Sequence, residues 1–469
     1  MNSGESYFGL LVVARFRLLM PAACVAFEPP APPCFAAQHD PHRMNSRRRF
    51  NGGSQQIASV KGGLILLLSL LIFFSAPSAA CSDGTCQLRD SCAAAADCSP
   101  GLYCGNCAAM GKNQPFCIRG QATIPTSIMS GLPFNKYSWL VTHNSFSIVN
   151  APLLTGPQRI TFTNQEDSVT NQLLNGVRGF MLDMYDFEDD IWLCHSFNRQ
   201  CFNITAFEPA VNTLREIESF LSARPYEIVT IIIEDYVHKP RGLSKVFSDA
   251  GLDRYKFPVS EMPTKGHDWP TVDEMVAKNY RLLVFTSDSS KETAEGIAYQ
   301  WNYMVENEPG DPGLRPRSCT NRKESKGLDS RSASLFLMNY FPTIPVQDEA
   351  CKEHSTPLSD MVKSCYKAAG NLMPNFVAVN FYMRSDGGGV FDDLDQMNGQ
   401  SLCGCNTITA CKVGQYGVCK DIAAPNTTPG TNNKGGTFSG SVQMTSAAAP
   451  IIKSATTFYV FFLFCPFLL

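Results

Sequence analysis

Between Pro133 and Gly399 the chain alternates short apolar runs with polar, helix-compatible stretches. Runs of roughly four to eight apolar residues closed by turn-forming positions fit strands buried on both faces. Trp139–Thr142, Val177–Asp183, Ile191–Cys194, Ile228–Ile233, Leu282–Phe285, Leu335–Met338 and Phe376–Phe381 are the strands this pattern predicts. Between several of them apolar positions recur at helical spacing, as in Ala210–Ala223 and Thr271–Lys278. Repeated strand–helix alternation predicts a parallel sheet, and the number of strands predicts an α/β fold built as a TIM-barrel-like, distorted β/α barrel over residues 133–400. A doubly wound open sheet is the alternative, but no Gly-rich phosphate loop follows the first strand.

Outside this stretch the pattern changes. Residues 81–120 hold seven cysteines, Cys81 to Cys117, among Gly and Ala and few large apolar side chains. Such a segment cannot build an ordinary core and reads as a small disulfide module. Because seven is odd, at least one of these cysteines is expected to pair outside it. Cys104 and Cys107 form a C-x-x-C pair, which suits zinc or redox chemistry, but the cysteines around it favour plain disulfides. Residues 401–424 carry a second cluster, Cys403, Cys405, Cys411 and Cys419, and residues 425–446 read as a flexible linker.

Both ends carry targeting signals. Leu64–Phe74 is an apolar run too short to span a bilayer, preceded by Arg47, Arg48 and Arg49 and followed by small residues ending at Ala80. That order predicts a signal peptide cleaved after Ala80. Residues 1–80 are therefore leader, and Met44 would make an ordinary start, with residues 1–43 an upstream extension. Residues 447–469 form a hydrophobic tail whose apolar run Phe458–Leu469 follows the small residues Ser446, Ala447 and Ala448, without a basic segment after it. This predicts a glycosylphosphatidylinositol attachment signal. Nineteen cysteines, less Cys24, Cys34 and Cys465 in leader and tail, leave an even number for disulfides in an oxidising compartment. The sequons Asn203-Ile-Thr205 and Asn426-Thr-Thr428 fit the same export route. The chain is thus expected to be secreted or held at the outer face of the plasma membrane. With 44% hydrophobic residues, 17% charged and a net charge of −3, nothing points to a nucleic-acid partner.

Candidate chemistry gathers at the strand ends. Of seven histidines, His143 and His195 directly follow predicted strands. In a parallel barrel the C-terminal strand ends converge on one open face, where two imidazoles can act as an acid/base pair near neutral pH. Capping or core histidines are the alternative. Asp183 ends one other strand and Glu234 and Asp235 end another, and Asn144, Asp183 and Glu234 together offer hard oxygen ligands suited to calcium. Salt bridges or solvation at the rim would explain the carboxylates equally. Arg178 is open between a phosphate clamp and a support of the barrel.

The segments T-H-N-S at 142–145, G-V-R-G-F-M-L-D at 176–183, L-C-H-S at 193–196 and I-I-E-D at 232–235 resemble, in order and spacing, the X region of phosphatidylinositol-specific phospholipases C. The Cys-rich module, export signal and apolar tail resemble plant secreted proteins containing that region. The resemblance implies a phosphoric diester hydrolase acting on a phospholipid or related phosphodiester at a membrane surface, with His143 as general base and His195 as general acid. It also implies Asn144, Asp183 and Glu234 as calcium ligands of the eukaryotic type, since the metal-independent bacterial enzymes carry basic residues at the positions of Asp183 and Glu234. Two departures bear on this. Met181 stands where another carboxylate ligand is expected, which predicts a weaker metal site, and Asn380 stands where bacterial enzymes orient the base with an aspartate. The competing readings are a non-catalytic surface protein that binds through the barrel scaffold, and a glycerophosphodiester phosphodiesterase, whose first motif would read His-Arg-Gly instead of His-Asn-Ser.

Overall fold

The computed structural model describes residues 81–420. The leader and signal peptide, the linker, the apolar tail and the sequon at Asn426 lie outside the described residues.

Eight parallel strands make the body of the molecule. In sequence they are β3 (Trp139–Thr142), β4 (Gly179–Phe187), β7 (Val229–Tyr236), β8 (Leu282–Thr286), β9 (Ala298–Tyr299), β10 (Met304–Glu306), β11 (Leu335–Asn339) and β12 (Phe376–Val379). In space the order is β10-β11-β12-β3-β4-β7-β8-β9. The sheet curls into a distorted barrel, and among the described residues no ladder joins β9 to β10, which leaves a seam. β9 and β10 are too short to have stood out as apolar runs. Between β4 and β7 lie β5 (Asp190–Cys194) and β6 (Ala206–Pro209), an antiparallel excursion hung on β4.

Strand alternation divides the apolar residues into two cores. Val141, Ile232, Phe285, Met304, Leu337 and Ala378 face the barrel interior and pack together. Their neighbours Leu140, Phe180, Ile231, Val284, Phe336 and Val377 face outward against the helices. The helix Ala210–Ala223 buries Ala210, Leu214, Ile217 and Leu221, the stripe its sequence spacing predicts. The helix Val272–Ala277 starts at a capping box between Thr271 and Glu274. Both glycines of G-V-R-G-F-M-L-D are required by space. Gly176 enters β4 at φ +97°, and a Cβ on Gly179 would lie 2.4 Å from Val141 Cγ2 inside the barrel.

All sixteen cysteines of the described residues are paired. In the N-terminal module, β1 (Leu102–Cys107) and β2 (Lys112–Arg119) form a hairpin held by Cys81–Cys86, Cys92–Cys104 and Cys98–Cys117. The odd cysteine is Cys107, which reaches Cys351 and ties the module to the barrel. The C-x-x-C pair is therefore two halves of different disulfides. Cys194–Cys201 and Cys319–Cys365 staple barrel loops, and Cys403–Cys411 with Cys405–Cys419 hold the terminal hairpin of β13 (Cys411–Lys412) and β14 (Gln415–Cys419). No helix among the described residues is long and apolar enough to cross a membrane.

Candidate active site

The interior alternation that builds the core also aims the polar residues. Each strand's next inward position above its last apolar side chain falls at the mouth of the barrel: His143 above Val141, Asp183 above Met181, Glu234 above Ile232, Glu306 above Met304, Asn339 above Leu337 and Asn380 above Ala378. Met181 lies one layer too low for a rim position and packs against the interior apolar cluster, in register with Ile232. His195 arrives differently. β4 runs past the rim, β5 returns antiparallel with Leu193 opposite Met184, and His195, just beyond β5, is brought back to the mouth.

The turn carrying His143 is clamped on every side. Its backbone N–H donates to Val379 O (3.0 Å) and its carbonyl accepts from Gln165 Nε2 (2.8 Å). Gln172, buried in the helix Val169–Leu174, accepts from the Thr142 hydroxyl (2.7 Å) and donates to Ser145 O (2.8 Å). Asn144, in the middle of this turn, takes a left-handed φ of +44°, a conformation asparagine tolerates better than most residues. The His143 ring lies flat on Phe341, with centroids 3.6 Å apart and planes 3° from parallel. Its Nδ1 donates to Asn380 Oδ1 (2.9 Å), which also accepts from Asn164 Nδ2 (3.0 Å). His195 Nδ1 meets Phe162 O (2.9 Å), and because a carbonyl only accepts, Nδ1 carries the proton. In both rings Nε2 is the nitrogen free to exchange a proton with a ligand.

The electrostatics separate the two histidines. Burial holds His143 down to about 3, the field of His195 pushes the same way, and only the Asn380 hydrogen bond opposes them. Burial also lowers His195, but there the Phe162 carbonyl and the Glu234 carboxylate favour the charged form. His143 is thus the ring kept neutral, and His195 the one better able to hold a second proton.

Asp183 is buried, and among the described residues no hydrogen bond or ion pair reaches its carboxylate. Burial first, and the Glu234 charge second, raise its pKa well above the ordinary carboxylate range. Glu234, its exposed register partner on β7, accepts from the Tyr236 hydroxyl. Asn144 Oδ1 is also buried without a partner. The structure therefore brings His143, Asn144, Asp183, Glu234 and His195 to one mouth. Arg178 sits at the opposite end, buried and spent on Glu227 (2.8 Å) and the carbonyls of Leu173 and Val177 (2.8 Å each), so it supports the barrel. Gln165, Gln172, Asn164, Phe162 and Phe341 were not singled out from sequence, and as isolated polar or aromatic residues in loops and a helix they carry no pattern. Asn339 could have been found, since it closes an apolar strand as Asp183 does, whereas Glu306 ends a strand too short to form a run.

These features define a β/α-barrel protein with a paired-histidine site at its C-terminal face. The PI-PLC X family model matches residues 140–391. A PI-PLC X domain-containing protein of Arabidopsis thaliana is 64% identical over 395 residues, covering 83% of this chain and 92% of that protein. The chain belongs to the PI-PLC X family. An uncharacterized secreted protein of Arthroderma benhamiae is 24% identical over 257 residues, 50% of this chain and 56% of that one. Among solved structures, a mutant phosphatidylinositol-specific phospholipase C of Staphylococcus aureus aligns with a TM-score of 0.39 at 11% identity over 58% of this chain and 94% of that one. The Listeria monocytogenes enzyme gives 0.38 at 14%, over 59% and 97%. The dense disulfides and the secreted relative fit an extracellular location.

Proposed function

We propose that this protein is a phosphoric diester hydrolase that cleaves an inositol phospholipid or a closely related phosphodiester outside the cell. The observation carrying this reading is the pair of imidazoles at one barrel mouth, each tied through Nδ1 and each presenting Nε2. His143 Nε2 takes the proton of a head-group hydroxyl, whose oxygen attacks the adjacent phosphorus. The bond from phosphorus to the glycerol oxygen breaks as His195 Nε2 protonates that oxygen, leaving a cyclic phosphodiester. His143 is then the charged ring and His195 the neutral one, so a water molecule deprotonated by His195 can open the ring while His143 returns its proton.

The donor set fits a hard divalent cation. An unpartnered buried amide oxygen on Asn144 and a buried Asp183 carboxyl beside the Glu234 charge are both costly as they stand, and oxygen ligands of this kind suit calcium. Asn144, Asp183 and Glu234 would hold it, and it would supply charge stabilisation for the phosphoryl oxygens. With Met181 in the layer below, this set has one carboxylate fewer, which favours weak binding. The apolar run Phe458–Leu469 supports a lipid anchor and Leu64–Phe74 an export signal.

The test is release of soluble inositol phosphate from phosphatidylinositol by the purified secreted chain, with calcium or with chelator. Turnover that needs calcium supports the full reading. Turnover indifferent to chelator removes the metal, and no turnover by folded protein with any inositol or glycerol phosphodiester favours a binding scaffold.

A further inference from the structure

The loop between β5 and β6 carries the sequon Asn203-Ile204-Thr205, and this places it at the mouth. Asn203 is exposed, and no hydrogen bond among the described residues involves its side chain. Its backbone is fixed nevertheless. The Asn203 carbonyl accepts from the Thr155 hydroxyl (2.5 Å), and Ile160 N–H donates to Ile204 O (2.9 Å). The His195 N–H donates to Thr205 O (3.1 Å), so the sequon touches the backbone of the histidine itself. The Cys194–Cys201 disulfide closes the loop beneath it.

Around this loop stand Leu153, Leu154, Ile160, Phe162 and Phe197, all exposed, with Ile160 at 69%. They belong to the two segments that hold His195: Phe162 gives the carbonyl to its Nδ1, Thr161 donates to its carbonyl (2.7 Å), and Phe197 stacks on Phe202 (5.2 Å). An apolar collar of this kind on an exported protein is a liability in solution and would adhere to a bilayer.

We infer that Asn203 carries an N-linked oligosaccharide that stands among these side chains as a hydrated spacer beside His195. In its formation the Asn203 amide nitrogen bonds to the anomeric carbon of a lipid-linked oligosaccharide diphosphate. The carbon–oxygen bond to the diphosphate breaks, the polyprenyl diphosphate leaves, and the amide gives up one proton. The glycan keeps the collar from lying flat on a bilayer. Diesters that are dissolved, or whose head group projects from the surface, then reach the histidines more readily than lipids packed flush in a membrane. This substrate preference rests on the phosphodiesterase reading above; the glycan site does not.

The experiment uses the full chain secreted from a eukaryotic host, together with Asn203→Gln and Asn426→Gln. Peptide mass analysis with and without endoglycosidase is expected to show a glycan at Asn203, lost in Asn203→Gln and kept in Asn426→Gln. Sedimentation with vesicles of phosphatidylinositol and phosphatidylcholine reads the spacer without any turnover. Asn203→Gln, and wild-type protein deglycosylated after folding, are expected to bind about tenfold more tightly, the weight of one aliphatic side chain buried. An unmodified Asn203 peptide in the secreted protein overturns the site. A modified Asn203 with equal sedimentation of all forms overturns the spacer. Failure of every form to hydrolyse a diester would instead count against the catalytic reading and leave both glycan readouts standing.

Discussion

The two halves of the barrel mouth are built from similar residues and treat them differently. On the β10–β11 side, the buried Glu306 carboxylate accepts from Gln300 Nε2 (2.9 Å), Trp301 Nε1 (2.8 Å), Asn339 Nδ2 (2.8 Å) and Arg322 Nη1 (3.3 Å). Asn307 and Asn339 exchange further bonds with each other's backbone, and one acceptor, Asn339 Oδ1, is left over. On the β3–β4 side, Asn144 Oδ1, Asn164 Oδ1, Gln165 Oε1 and Asn380 Nδ2 are buried without partners. Buried polar groups are normally satisfied. The saturated half reads as architecture that closes the barrel near its seam, and the unsatisfied half as a surface prepared for a ligand.

That contrast is broken most severely by truncating one residue on each side. Glu306→Ala takes the acceptor from Gln300 Nε2 and Trp301 Nε1 and leaves Arg322 with Glu324 alone in the saturated half, which should cost about 3 to 5 kcal/mol. The expected outcome is a large fall in thermal midpoint or loss of secretion; a midpoint unchanged from wild type would show the network to be dispensable. Asp183→Asn on the other side should do the reverse. By removing a buried charge opposed by Glu234 it should raise the midpoint in chelator, while abolishing any midpoint rise on adding calcium and lowering turnover. A destabilised Asp183→Asn protein would mean that this carboxylate is structural.

A smaller effect separates the mouth from the rest of the shell. Asp393, buried in the helix Gly389–Cys403 and bonded to the Ser359 hydroxyl (2.6 Å), is pushed up to about 7 by burial. Its folded pKa lies above the unfolded value of about 4, so the folded state holds the proton more tightly. The stability it contributes is therefore full below about pH 4 and falls as pH rises towards 7. Asp393→Asn imitates the protonated form. Its midpoint should match wild type at pH 4 and exceed it by several degrees at pH 8; a constant difference would refute the assignment.

Much of this was legible in the chain. Parallel strands buried on both faces announce themselves as apolar runs, which is why β3, β4, β7, β8, β11 and β12 could be read, and a polar residue closing such a run must face the rim. His143 and Asp183 follow from that rule, while Glu234 needs strand alternation as well, since Asp235 closes the same run but is buried and accepts from the Thr286 hydroxyl. β9 and β10 escaped because two or three residues make no pattern, and Glu306 with them. The clamps on the His143 turn escaped for another reason: Gln165, Gln172 and Asn164 act through tertiary contacts with strands far away in sequence. The Phe341 stack is likewise a product of the curled sheet. Disulfide partners were beyond reach, although the odd count in the N-terminal module required a bridge like Cys107–Cys351.

The most direct test follows phosphorus. Phosphatidylinositol incubated with wild-type protein, His143→Ala and His195→Ala, and observed by phosphorus NMR, should show a cyclic inositol phosphate with wild type. Each variant should lose about a thousandfold in rate, within the span expected for one acid or base, at an unchanged thermal midpoint. Cyclic product formed at the wild-type rate by either folded variant would contradict the assignment of the two histidines.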